Sequence, residues 1–174
     1  GDTNEMLKNK VHFALKNNLK VVFCIGENKK EKKNKKTFSV LKKQLSKVLE
    51  KKFNKNNIIV AYEPIWSIGT GKIPSKNELE KTAIYIKKVL KDIFKKSPAL
   101  LYGGSVDGNN VEMFKEINFI YSVNLNKISL LRESRGGVLP SFYDFAKLAL
   151  DQNIVGITLH PRPDQRHIIE DDIK

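Results

Sequence analysis

The segment AYEPIWSIGTGK, residues 61–72, joins the end of an apolar strand pattern to a loop that contains two glycines. The strand places one carboxylate, Glu63, at its carboxyl end, and Gly69 follows within the loop. A single acid beside backbone amides that can bind phosphate is the arrangement needed to move a proton on a phosphorylated sugar. Glu63 is therefore the candidate general base, and a strand-end acid paired with a lysine is the structural alternative.

Outward from this segment, strand and helix patterns alternate along the chain. Apolar runs of strand length predict five strands, at residues 19–26, 58–66, 99–103, 119–125 and 155–160. Amphipathic spacing predicts helices between them, at residues 2–17, 37–52, 75–95, 107–116 and 141–152. Capping-box patterns begin two of the helices, Asp2 with Glu5 and Ser75 with Glu78. Strands that alternate with helices predict an α/β fold of parallel βα units.

Polar residues and glycines gather where the predicted strands end. Because ligands bind at the carboxyl ends of parallel strands, these residues form the candidate site. They are Glu27, Glu63, Gly103, Gly104, Ser105, Asn124, Asn126, His160 and Arg162. For Ser105 the structural alternative is a helix cap, which is compatible with phosphate binding. Glu27 is expected to hold an ion pair that organises the loops.

The charge distribution argues against nucleic acid as a partner. The 174-residue chain has a net charge of +13, and residues 1–117 carry all of it with 25 lysines and no arginine. Proteins that recognise bases favour arginine, whose planar fork matches guanine and phosphate. We expect a solvated lysine face and no nucleic-acid partner.

The remaining composition predicts a soluble cytoplasmic protein. No apolar run is long enough to span a bilayer, so no membrane partner is expected. The single cysteine, Cys24, lies in the apolar run VVFCIG and is expected to be a buried small hydrophobe. The chain begins with Gly1 and not with Met, so we expect a fragment.

Residues 1 to about 117 resemble the later part of triosephosphate isomerase. The matching segments are GDTNEM at 1–6, CIGE at 24–27, AYEPIWSIGTGK at 61–72 and YGGSV at 102–106, in family order and spacing. The resemblance implies that Glu63 is the general base, that residues 66–72 form a lid, and that the Gly69 amide and Ser105 hold the substrate phosphate. It implies no cofactor. It also places a catalytic lysine and an electrophilic histidine before these segments, so residues 1–174 alone are expected to turn over slowly.

Residues 122–174 resemble a different family, the beginning of pyridoxine 5′-phosphate synthase. The matching segments are SVNLNKISLLRESRGG at 122–137 and GITLHPRPDQRHI at 156–168. The resemblance implies condensation of 3-amino-2-oxopropyl phosphate with 1-deoxyxylulose 5-phosphate, with His160 as a general base. It assigns phosphate contacts to Asn124, Arg135, Arg162 and His167, and the second substrate to Asn126 and Lys127. Arginine forks suit a phosphate dianion, and imidazole suits proton transfer near neutral pH.

Both families are (β/α)₈ barrels, and the two resemblances meet near residues 117–121. We therefore expect two regions, 1–117 and 118–174, and a partial TIM barrel. Its five parallel strands cannot close into a barrel that needs eight, so the helices should cover one face of an open sheet. The interlocking loop of the usual isomerase dimer is not among the matched segments, so no oligomer is carried over.

Three functions stay open from the sequence. The first is triosephosphate isomerase, an enzyme of glycolysis and gluconeogenesis that interconverts dihydroxyacetone phosphate and glyceraldehyde 3-phosphate. The second is pyridoxine 5′-phosphate synthase. The third is a non-catalytic fusion or an assembly artefact. Both enzymatic alternatives take phosphorylated small molecules as substrates.

Overall fold

The computed structural model describes residues 2–68, 70–105, 113–114, 117, 119, 122–124, 141–151 and 156–158. The chain divides into two compact units, Gly1–Ile120 and Tyr121–Lys174. None of the helices in these described ranges is long and apolar enough to cross a membrane.

The first unit alternates helices and strands around a parallel sheet of three strands in the order β1-β2-β3. The strands are β1 (Val21–Ile25), β2 (Ile58–Tyr62) and β3 (Ala99–Tyr102), and a 3₁₀ turn (Lys55–Asn57) precedes β2. The helices are α1 (Asn4–Lys16), α2 (Lys29–Lys33), α3 (Thr37–Val48) and α4 (Lys76–Phe94). Open parallel βα units confirm the predicted α/β fold, and each strand lies within the range expected for it. The helix predicted at 107–116 lies largely outside the described residues.

Two local predictions are wrong in detail. The first helix is capped by Thr3, whose hydroxyl accepts a hydrogen bond from the Met6 amide at 3.2 Å, and not by the expected Asp2. Asp2 pairs with Lys10 instead. The second concerns Phe38, which the amphipathic spacing of the predicted helix 37–52 assigns to the buried side. It is 41% exposed and stacks on Tyr85 of α4, with ring centroids 4.5 Å apart.

Helices cover one face of the sheet in the first unit. Alternate residues of the strands are buried there: Phe23, Ile25, Ile58, Val60, Tyr62, Leu100 and Tyr102. On the opposite face Val22 is 55% exposed and Cys24 is exposed as well. Successive side chains of a strand point to opposite faces, so covering one face leaves the other open. The expected one-sided cover of the sheet is confirmed here, and the expectation of a buried Cys24 is wrong for the same reason.

The second unit contains a parallel pair of strands and one helix among its described residues. β4 (Ser122–Asn124) pairs with β5 (Gly156–Thr158), and α5 (Phe142–Asp151) lies between them in sequence and contacts β5. The Ser141 hydroxyl accepts a hydrogen bond from the Asp144 amide at 3.2 Å and caps α5. This is again the βα arrangement that the sequence predicts.

Two isoleucines of α4 provide a matched test of the core. Ile86 is fully buried, whereas Ile84 on the same helix is 70% exposed. We expect Ile86→Ala to lower the free energy of unfolding by about 2–5 kcal/mol, because it leaves a cavity in the packed layer. Ile84→Ala should change it by less than about 0.5 kcal/mol. Urea denaturation of both variants measures the difference, and equal losses would contradict the assignment of the core face.

Candidate active site

The carboxyl ends of the three strands of the first unit lie side by side. The Glu63 amide donates to the Ile25 carbonyl at 2.7 Å, and the Gly103 amide donates to the Tyr62 carbonyl at 2.9 Å. These bonds continue the parallel register beyond the last strand residues. Parallel strands end at the same edge of a sheet, so the structure brings together Glu27, Glu63 and the segment 103–105, as the sequence predicts.

Two glycines lie against Glu63, one against its side chain and one against its backbone. A Cβ on Gly103 would lie 2.5 Å from the Glu63 Cγ and 2.8 Å from its carboxyl carbon, so the side chain of Glu63 rests directly on Gly103. A Cβ on Gly26 would lie 2.6 Å from the Glu63 carbonyl carbon. All three distances are under the 3.0 Å that real Cβ contacts respect. The glycines therefore allow the backbone and carboxylate of Glu63 to lie tightly between its neighbours.

The thiol of Cys24 interacts with the carboxylate of Glu63. Cys24 pairs with Ala61 in the sheet register. Glu63 stands two residues after Ala61, directly beyond the end of β2, so it and Cys24 lie on the same open face. Partial removal of water from the thiol, then the negative charge of Glu63 and a hydrogen bond to it, raise the pKa of Cys24 to about 11. The thiol therefore stays protonated near neutral pH and donates to the carboxylate, where a metal ligand or nucleophile would need thiolate.

Glu27 is a buried carboxylate that holds the beginning of the loop. It is 1% exposed, and the Trp66 indole N–H donates to its Oε1 at 2.9 Å. The Tyr62 hydroxyl lies 3.2 Å from Oε2 and donates to the same carboxylate. Burial and the charge of Glu27 raise the pKa of Tyr62, so its proton stays available for this bond. The expected ion pair is wrong for the described ranges, since none of the ion pairs there includes Glu27. Glu27 holds the loop through hydrogen bonds instead.

Ser67 and Ser105 join the loop to the end of β3. Ser67 is fully buried, and its carbonyl accepts a hydrogen bond from the Ser105 hydroxyl at 2.7 Å. The Ser67 hydroxyl donates to the Lys72 carbonyl and lies 3.3 Å from the Tyr102 hydroxyl. The Thr70 hydroxyl lies 3.1 Å from the Ser67 carbonyl as well. Both ends of the loop 66–72 are thereby tied to a single buried serine.

The other predicted site residues are not described at the level of their side chains. Asn124 is the last residue of β4. Outside the described residues lie Gly69, Asn126, Lys127, Arg135, His160, Arg162 and His167. Within the described ranges, no group of three or more His, Cys, Asp or Glu residues could hold a metal ion.

The sequence did not single out Cys24 or Tyr62 for this site. A signal for Cys24 exists, since it stands two residues before Gly26, the end of the predicted strand 19–26. The sequence gives no such signal for Lys32, which is one of six lysines in residues 29–36. Only spatial neighbours distinguish it.

Two family models match parts of this chain. Residues 1–126 match the family model described as "Triosephosphate isomerase". The chain belongs to the triosephosphate isomerase family. Residues 121–174 match a second family model, described as "Pyridoxal phosphate biosynthesis protein PdxJ".

Several curated triosephosphate isomerases resemble the chain. The protein of Thermodesulfovibrio yellowstonii is 32% identical over 132 residues, which cover 74% of this chain and 54% of that protein. Those of Leptospira borgpetersenii and Yarrowia lipolytica are 36% and 37% identical over 120 and 118 residues. These matches cover 64% and 66% of this chain and 48% of each relative. The chain thus spans about half the length of the curated relatives it matches.

Proposed function

We propose that the first unit carries the base and the lid of a triosephosphate isomerase site. In this proposal Glu63 moves a proton between two carbons of a triose phosphate and so interconverts dihydroxyacetone phosphate and glyceraldehyde 3-phosphate. The observation that carries it is the position of the Glu63 carboxylate, at the end of β2 on the open face and against Gly103. A base must reach a carbon-bound proton, and ligands of parallel βα units bind at the carboxyl ends of the strands, where Glu63 lies.

The loop 66–72 would cover the substrate, and Ser105 with the Gly69 amide would hold its phosphate. The hydrogen bond between the Ser105 hydroxyl and the Ser67 carbonyl supports this pairing, because it places the predicted phosphate ligand against the loop. A cover that excludes water strengthens electrostatic interactions and protects the enediolate intermediate. The reaction would belong to glycolysis and gluconeogenesis in the cytoplasm, with phosphorylated small molecules as the partners of this unit.

A graft into a relative tests the role of Glu63. The 120 matched residues of the Leptospira borgpetersenii protein are replaced by those of this chain, and isomerase turnover is followed in a coupled assay. We expect Glu63→Gln to lower kcat by about 10²–10⁴-fold, because the amide cannot accept the proton. Asp92→Asn, which neutralises an exposed acid on α4, is the matched control and should leave kcat unchanged.

Two outcomes of the graft would reject the proposal. One is a folded graft whose turnover is the same with Gln at position 63. The other is a folded graft in which neither form incorporates deuterium from D₂O into dihydroxyacetone phosphate. The second measurement follows proton abstraction alone, so it registers the base even where the complete turnover is slow.

We also propose a second candidate for residues 121–174, which the second family match favours. There His160 would act as a general base in pyridoxine 5′-phosphate formation, with phosphate contacts from Asn124, Arg135, Arg162 and His167 and the second substrate at Asn126 and Lys127. Formation of product from the two phosphorylated substrates that is lost in His160→Ala would support it. Absence of product from the folded chain would leave a non-catalytic fusion as the description of this segment.

A further inference from the structure

Lys32 contacts both the first residue of the loop 66–72 and the helix that follows the loop. Its ammonium nitrogen lies 3.7 Å from the centroid of the Trp66 ring, at the beginning of the loop. The same nitrogen lies 3.3 Å from the Glu78 Oε1, on the first turn of α4 just after the loop. One side chain of α2 thereby joins the beginning of the loop to α4, although α2 is adjacent to neither in sequence.

Separate hydrogen bonds hold α2, Trp66 and Glu78 in place. α2 begins with a capping box in which the Asn28 side chain accepts from the Glu31 amide at 2.9 Å and the Glu31 carboxylate accepts from the Asn28 amide. The Trp66 indole is fixed by its hydrogen bond to the buried Glu27. The Glu78 carboxylate uses Oε2 for its own capping box with Ser75, at 2.9 Å, which leaves Oε1 to face Lys32.

This geometry differs from an ordinary surface ion pair. Lys32 is a third exposed, and its charge rests on an aromatic face as well as on a carboxylate. A cation over an indole ring is attracted by the negative face of the ring, and the attraction is lost once the ring moves aside. Any movement of Trp66 away from α2 therefore breaks this contact.

We infer that Lys32 is a positioning residue that latches the loop 66–72 to α2 and α4 and so opposes its movement over Glu63. The inference rests on the proposed function of the loop as a lid. Lys32 touches neither substrate nor Glu63 in this scheme. It acts through Trp66, and its loss shifts the loop toward positions in which the indole has left α2.

Trp66 itself reports the latch, because it is the single tryptophan of the chain. Acrylamide quenching of its fluorescence is measured in the 174-residue chain without substrate. We expect Lys32→Met to raise the quenching constant about two- to fivefold, the factor that corresponds to losing one cation–π contact. Lys32→Arg should restore the wild-type value, since guanidinium also stacks on an indole. Lys33→Met, an exposed lysine of the same helix, controls for the change in charge.

A second variant separates the latch from stability alone. Glu78→Gln keeps an oxygen for the capping box but removes the charge opposite Lys32, so a smaller rise in quenching is expected. The inference is overturned if Lys32→Met changes the urea midpoint and leaves the quenching constant unaltered, or if Lys33→Met has the same effect.

The latch and the proposed function can fail separately. Quenching requires no substrate, so a positive result stands even where the Glu63→Gln graft shows no loss of turnover. In an active graft, Lys32→Met should change KM and kcat by different factors, because it alters the loop equilibrium and leaves the base intact. Glu63-dependent turnover together with unchanged quenching would retain the base and reject the latch.

Discussion

Gly26→Ala is expected to destabilise the first unit by on the order of 3 kcal/mol or more, a cost at the upper end for overpacking. The added Cβ would lie 2.6 Å from the Glu63 carbonyl carbon and nearer still to its oxygen, and both belong to backbone. A rotamer change cannot relieve this overlap, so β1 and the end of β2 must separate. Their bond between the Glu63 amide and the Ile25 carbonyl, 2.7 Å long, would be strained or lost.

Gly71→Ala is the matched control for this substitution. Gly71 has a φ of +69°, and a Cβ added to it would meet no atom within 4 Å. Its cost is that of placing alanine in the left-handed region, about 1–2 kcal/mol. Urea denaturation of the two variants separates steric overlap from backbone conformation. If Gly26→Ala costs no more than Gly71→Ala, the close approach of the two strand ends is wrong.

Cys24 should react with iodoacetamide about 100-fold more slowly at pH 8 in the folded chain than in urea. The thiolate is the reactive form, and a pKa raised from 9.0 to about 11 lowers its population by that factor. Glu63→Gln should accelerate alkylation of the folded chain several-fold, because it removes the carboxylate charge but not the partial burial, which is the larger cause. As Cys24 is the single cysteine of the sequence, mass spectrometry follows the reaction without ambiguity.

The interaction of Cys24 with Glu63 also predicts how the free energy of unfolding depends on pH. The pKa of Cys24 is raised in the folded state, so its contribution to stability is complete below about pH 9 and is lost as the pH rises toward 11. The loss of stability between about pH 9 and 11 should be smaller in Glu63→Gln and the same as in the wild type in Asp92→Asn. Equal alkylation rates in the folded wild type and Glu63→Gln would show that the thiol and the carboxylate do not interact.

The order of elements and the candidate base were predictable from the sequence because they depend on local patterns. Apolar runs located the five strands found among the described residues, and the spacing of Ser75 and Glu78 located the beginning of α4, whose capping box is present. Glu63 could be found because a strand end is itself a local feature. Boundaries were less accurate, as the end of β2 shows. The strand was expected to reach residue 66 but ends at Tyr62, since Pro64 follows and lacks an amide to continue the ladder.

The neighbours of Glu63 could not be predicted in the same way. That Glu27 accepts hydrogen bonds from Trp66 and Tyr62 depends on three separate segments meeting in space. The choice of Lys32 among its neighbouring lysines has no counterpart in composition or spacing. For Cys24, an apolar run suggested burial on both faces, but exposure depends on which face the helices cover.

The sequence by itself determined the alternation of parallel βα units, the acid at the end of β2 and the two family resemblances that meet near residues 117–121. These depend on periodicity and motif order, which act over a few residues. Only the tertiary structure decided that Glu63 lies on Gly103 with Cys24 beside it, that Ser67 ties the loop to Ser105, and that Lys32 joins Trp66 to Glu78. Such contacts join residues up to 46 positions apart in the sequence, and the packing of strands and helices alone brings them together.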